Sequence, residues 1–149
     1  MVLSWGKPKI EICKLVNGKL PTSPVWNELE TPVENSSKMT ATKGDKKEMK
    51  IEGGEVIATR YGKNSYLFEC EIPVGSSSTK PIEDEDGVIL EEYAVRLTPE
   101  NADAQGWLME KTNVSCEDTW DSESGSKWKY SFDGVKPESG AICKPYKAA

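Results

Sequence analysis

Histidine is absent from the 149-residue chain, and with it goes a set of chemistries. The commonest general base and the usual activator of a serine or cysteine nucleophile are missing, so Ser-His and Cys-His catalysis are excluded. The four cysteines, Cys13, Cys70, Cys116 and Cys143, contain no Cys-x-x-Cys pair. Without that pair or a histidine, no structural metal is expected. Cys70 alternates with Tyr66, Phe68 and Ile72, and Cys116 with Val114 and Trp120, which predicts buried free thiols rather than a disulfide framework. No apolar run approaches the length that crosses a bilayer. The opening MVLSWGKPKIEI lacks the basic, apolar and small-residue segments of a secretory signal. The expected setting is therefore the cytoplasm of the producing cell, with no membrane partner. Asn35 and Asn113 match the glycosylation pattern in spelling alone, which has no consequence there.

What is present is thin in apolar material and acidic. Hydrophobic residues make up 36% of the chain and charged residues 30%, with a formal net charge of −6. That composition fits a single domain over residues 1–149 with one core.

Period-two alternation runs through the chain. It is visible in Lys9-Ile-Glu-Ile12, in Glu48-Met-Lys-Ile-Glu52, and in Tyr66, Phe68, Cys70 and Ile72. Tyr93, Val95 and Leu97 repeat it, as do Trp107 with Met109, Val114 with Cys116, and Trp128, Tyr130 and Phe132. Turn signals separate these runs at Asn17-Gly18, Gly53-Gly54, Gly62-Lys-Asn64, Asp86-Gly87, Ser124-Gly125 and Asp133-Gly134. The pattern predicts an all-β fold: a β-sandwich or partly closed barrel of short antiparallel strands. One small helix is expected, best placed at Pro99-Glu-Asn-Ala-Asp-Ala-Gln105, with residues 80–86 a weaker candidate. The predicted core contains Tyr66, Phe68, Cys70, Ile72, Val95, Val114 and Trp128. Alternation also turns Trp107 and Trp120 inward, leaving Trp5 and Trp26 as the exposed aromatics.

The acidic runs Glu83-Asp-Glu-Asp86 and Glu91-Glu92 invite two readings beyond a solvated loop. Glycoside hydrolysis needs carboxyl groups converging across a cleft, not a run beside a turn glycine. An EF-hand loop aligned on Gly87 puts Ile82 and Tyr93 at the two positions that most require acids. Asp84 and Asp86 retain at most a nonspecific divalent contact. No catalytic, cofactor-binding or metal residue is assigned, and an enzyme is not expected.

The segment from Thr42 to Phe68 is harder to place. Glu52-Gly-Gly-Glu55 leads into a strand and is flanked by glutamates, unlike a phosphate loop. Lys43, Lys46, Lys47 and Lys50 are interleaved with Asp45, Glu48, Glu52 and Glu55, so no electrostatic footprint for nucleic acid forms. Alternating signs instead suit pairing with a copy of the same surface. Lys43, Asp45, Lys46, Lys47, Glu48, Lys50, Glu52, Gly53, Gly54 and Glu55 are accordingly the candidate subunit-interface residues, on a protruding charged hairpin near residues 42–55.

Five features occur in order: Trp26-Asn-Glu-Leu29, Thr31-Pro-Val-Glu-Asn-Ser36, the stretch from Thr40 to Gly44, Glu52-Gly-Gly-Glu-Val56, and the aromatic Tyr66-Leu-Phe68. This series resembles the tail tube proteins of long-tailed bacteriophages. The likeness is clearest over residues 26–72 and looser over 93–144, which end in Phe132-Asp-Gly-Val-Lys-Pro137. The resemblance implies a structural virion protein of a phage or prophage, with a β-sandwich and a small flanking helix. Its subunits would form hexameric rings that stack into the channel for genome passage. The implied partners are other copies of the chain and other phage tail proteins, without sequence-specific nucleic-acid binding. The implied location is the virion, after the cytoplasm of the host bacterium. Tube subunits of contractile secretion systems share that architecture. The alternative from another class is a monomeric β-sandwich module that binds carbohydrate or protein through Trp5 and Trp26.

Overall fold

The computed structural model describes residues 1–147. Its strands are β1 (Lys9–Lys14), β2 (Asn27–Glu28), β3 (Lys38–Thr42), β4 (Lys46–Lys50), β5 (Val56–Tyr61), β6 (Ser65–Pro73), β7 (Val88–Thr98), β8 (Gly106–Asp121), β9 (Gly125–Gly134) and β10 (Lys144–Tyr146). Eight of them form one antiparallel sheet in the order β2-β1-β7-β8-β9-β6-β3, with β10 also paired to β8. β4 and β5 form a separate two-stranded sheet. The fold is all-β and sandwich-like, and its sheet is open rather than closed into a barrel.

The spine is β8, whose 16 residues merge the two short runs around Met109 and Cys116 into one strand. One of its edges carries β9, whose ladder ends at Thr112 opposite Gly134. β10 then pairs with Gly106, Trp107 and Leu108 beyond that point.

Ile10 and Ile12 of β1, Val95 of β7, Met109, Val114 and Cys116 of β8, Tyr130 and Phe132 of β9, and Phe68, Cys70 and Ile72 of β6 share one buried cluster. Among the described residues there is no helix to cover that face, and the only other sheet is the exposed β4–β5 pair. The large sheet therefore has to bend around its own side chains, helped by register shifts in β7. Ile82, carried by the loop before β7, is 2% exposed and closes part of the cluster. Its carbonyl accepts a 2.9 Å hydrogen bond from the Tyr130 hydroxyl.

Most of the predicted core is where alternation put it. Phe68, Cys70, Ile72, Val95 and Val114 are buried, while Tyr66 and Trp128 pack partly buried against the same cluster, as Trp107 does. Trp120 is a correction, because it is 75% exposed. β8 and β9 run past the end of their neighbours here: β7 begins opposite Ser115 and β6 ends opposite Lys127. The Trp120 side of this ribbon thus has nothing to pack against.

The expected small helix is a second correction. Residues 99–105 form a turn. The Asn101 side chain accepts the Asp103 amide at 3.0 Å, and the Asn101 carbonyl accepts Ala104 N–H at 2.9 Å. An Asx turn competes with helical bonding, and the hairpin must bring Leu97 opposite Trp107 at once. Residues 80–86 are likewise not helical. Asp84 spends its carboxylate on Gly87 N–H at 2.7 Å, and Asp86 has φ 53°.

On the other face of β1 and β7, Cys13, Leu15 and Ala94 are buried under Leu20 and Trp26. Beside them Arg96 makes a two-pronged ion pair with Glu11, both bonds 3.1 Å. Its guanidinium lies over the Trp26 ring at 4.2 Å and the Tyr146 ring at 5.0 Å.

Candidate assembly interface

β3 and β6 pair as far as Thr42 opposite Ser65. The two chains then narrow and continue as β4 and β5. At the neck, Gly62 N–H donates to the Asp45 carbonyl at 2.7 Å and Gly44 N–H to the Asn64 side chain at 3.2 Å. A Cβ on Gly44 would stand 2.2 Å from the Gly62 carbonyl oxygen, so only glycine allows this approach. Beyond the neck the ladder runs from Lys46 opposite Tyr61 to Met49 opposite Ala58, with a bulge before Lys50 meets Val56.

The reversal falls at the predicted glycines. Gly53 has φ 100° and Gly54 φ 88°, while Gly54 N–H donates to the Ile51 carbonyl at 3.1 Å and Ile51 N–H to the Glu55 carbonyl at 3.0 Å.

Every residue of β4 and β5 is exposed. The alternation at residues 48–52 therefore does not mark a strand with one buried face, because β4 meets solvent on both faces. The structure also shows what charge patterning did not flag. Met49, Ile51, Val56, Ile57 and Tyr61 are 45–63% exposed, so the hairpin carries exposed apolar side chains on both faces as well as charges. On the return strand Arg60 shares the face of Lys47 and Met49, and Tyr61 the face of Lys46 and Glu48. The signal for that strand was the Gly62-Lys-Asn64 turn, which mirrors Gly44 across the neck. A two-stranded ribbon with both edges open is marginal on its own in water.

The candidate residues divide by role. Lys43 lies 4.7 Å from the Tyr61 ring centroid, and Asp45 joins the neck through its carbonyl. Lys46 and Glu48 form an exposed 2.8 Å ion pair, worth at most about 1 kcal/mol. Lys47 stands directly opposite Arg60, and like charges in that relation are unfavourable. Lys50 flanks the bulge, while Glu52, Gly53, Gly54 and Glu55 make the turn.

The other acidic groups do not converge. Glu91 pairs with Lys14 at 2.8 Å and Glu92 with Lys111 at 3.7 Å. Asp84, Asp118 and Cys116 do cluster, their ligand atoms within 4.8 Å of one another. The cation they hold is the Lys80 ammonium, 2.6 Å from Asp84 and 3.0 Å from Asp118. The Lys80 hydrogen bond holds the Asp84 carboxyl below its ordinary value, and Lys80 itself is pushed up chiefly by Asp84. Of the two candidate aromatics, Trp26 has Arg96 over its ring and Trp5 is 75% exposed.

Burial pushes the Cys70 thiol up to about 12 and Cys116 to about 11, and such thiols are poor nucleophiles and ligands at neutral pH. Cys13, Cys70 and Cys116 are buried, whereas Cys143 is half-buried. A thiol reagent at pH 8 is therefore expected to modify Cys143 first, and the other three only after denaturation. Peptide mass mapping checks this; rapid labelling of native Cys70 would show that the β6 region opens.

No protein-family model matches the chain, and no curated protein matches it.

Proposed function

We propose that this chain is a tail tube subunit of the long-tailed phage kind, which joins copies of itself into stacked rings around a channel for DNA. The observation that carries the reading is the β4–β5 hairpin. It presents exposed apolar side chains beside a like-charged Lys47–Arg60 pair, and a neighbouring subunit would bury the first and neutralise the second. The sheet adds a second reason. Its terminal strands are β3 and the two-residue β2, and continuation of the sheet into the next subunit would remove those open edges. The six-fold count and the place in a virion rest on the sequence resemblance. An acidic chain of net charge −6 would let DNA pass without adhering to the wall.

The test compares wild type with the Lys46→Glu, Lys47→Glu variant by sedimentation and negative-stain imaging at equal, high concentration. Wild type is expected to form rings or tubes and the variant to stay dispersed. Folding should hardly change, because the Lys46 pair contributes about 0–1 kcal/mol and reversal at Lys47 turns a repulsive pairing with Arg60 into an attractive one. Identical assemblies from both proteins, or none from wild type at any concentration or salt, would defeat the reading.

A further inference from the structure

The fold sorts charges that the sequence interleaves. At one end of the β8–β9 ladder the strands are joined by the turn between Asp121 and Gly125, whose φ of 82° suits glycine. Asp121 and Glu123 lie at that turn, and Glu117 stands four residues before it, opposite Lys129. Cys116 N–H donates to the Gly87 carbonyl at 3.3 Å, which sets the loop carrying Glu83, Glu85 and Asp86 beside the same half of β8, five residues before the turn. Among the described residues none of these six acids forms a salt bridge. Trp120 projects from this acidic tip, 75% exposed.

The opposite end of β9 is Gly134, where a Cβ would lie 2.7 Å from the Ile142 side chain and 3.4 Å from Tyr66. Tyr66, Ala141 and Ile142, together with Lys63, Asn64 and Lys136, line an open cavity of about 500 Å³. That volume is ample for an aromatic side chain. The cavity sits at the neck of the hairpin, since Lys63 and Asn64 are neck residues. Ten residues of β9 span about 33 Å at roughly 3.3 Å each, so a chain's own tip lies far from its own cavity.

We propose that the tip of one copy enters the cavity of the next, with Trp120 against Tyr66 and Ile142 and the Glu123 carboxylate against Lys63. An exposed aromatic next to the turn that carries Glu123 matches an apolar patch flanked by Lys63 and Lys136 in both shape class and sign. Because two different patches meet, the contact is head-to-tail. Such contacts generate rings or open filaments rather than closed pairs. The proposal rests on the reading that this chain assembles with itself, and it names the receiving surface.

The contact is testable by disulfide capture in a Cys143→Ser background, which removes the half-buried thiol beside the cavity. Ser122→Cys on the tip and Ala141→Cys at the cavity are both exposed positions. Each variant is purified alone, and the two are oxidised separately and mixed, with circular dichroism to verify folding. A linked dimer is expected in the mixture alone. Adding Trp120→Ala to the tip variant should remove it. Lys63→Glu in the cavity variant should cut the yield roughly tenfold or more, and Glu123→Lys in the tip variant should restore most of it. Absence of the mixed dimer while wild type forms rings would overturn this contact and leave self-assembly standing on another surface. Wild type that stays monomeric throughout would overturn both.

Discussion

Replacing Phe68 with alanine is expected to destabilise the protein by about 3–5 kcal/mol, the usual cost of emptying a large aromatic site in a core. Phe68 is 1% exposed. Its ring meets Trp107 edge-on at 4.9 Å between centroids and Phe132 at 5.8 Å, so contacts to β8 and β9 are lost together. In a domain of this size each kcal/mol moves Tm by about 2–4 °C. Urea denaturation with an unchanged slope would establish the loss as one of stability. A change under about 1 kcal/mol, as at surface sites, would mean that the β6 face is not the interior.

Arg96→Met is expected to cost about 3 kcal/mol, because it strands the Glu11 carboxylate under the segment that carries Trp26. The figure is the lower end for breaking a buried pair, since the Arg96 and Glu11 side chains retain 21% and 12% exposure. The double variant Glu11→Met, Arg96→Met should recover most of the loss, because two apolar side chains need no charge partner. Urea titration of the two variants and wild type side by side is the measurement. Equal losses in the single and the double variant would show that the Arg96 stem and ring contacts, rather than the charge pair, hold this face together.

Glu11 also shows where alternation stops being informative. Lys9-Ile-Glu-Ile12 states that Glu11 points away from Ile10 and Ile12, and it does. It cannot state that a later segment covers the outer face and buries Glu11 at 9% exposure. Trp120 errs in the opposite sense. Its parity with Val114 and Cys116 is right, yet no neighbouring strand reaches that far. At the hairpin, Glu48-Met-Lys-Ile-Glu52 has the same period as a half-buried strand, and β4 packs on nothing.

Local sequence determined most of the longer strands, though not β2, β3, β10 or the merging of β8, together with the side of the sheet their residues take and the reversal at Gly53-Gly54. Those depend on the pleat and on φ preferences of a few adjacent residues. Burial of each face was decided only by the tertiary structure, because it depends on which distant segment arrives and how far each strand outruns its neighbours. Charge followed the same division. Lysines and acids alternate along residues 42–55, but the register of β8 with β9 and the glycine neck at Gly44 and Gly62 place the turn acids Asp121 and Glu123 at one end of β9 and a cavity lined by Lys63 and Lys136 at the other. That separation is a property of strand direction and length, which no local window of the chain contains.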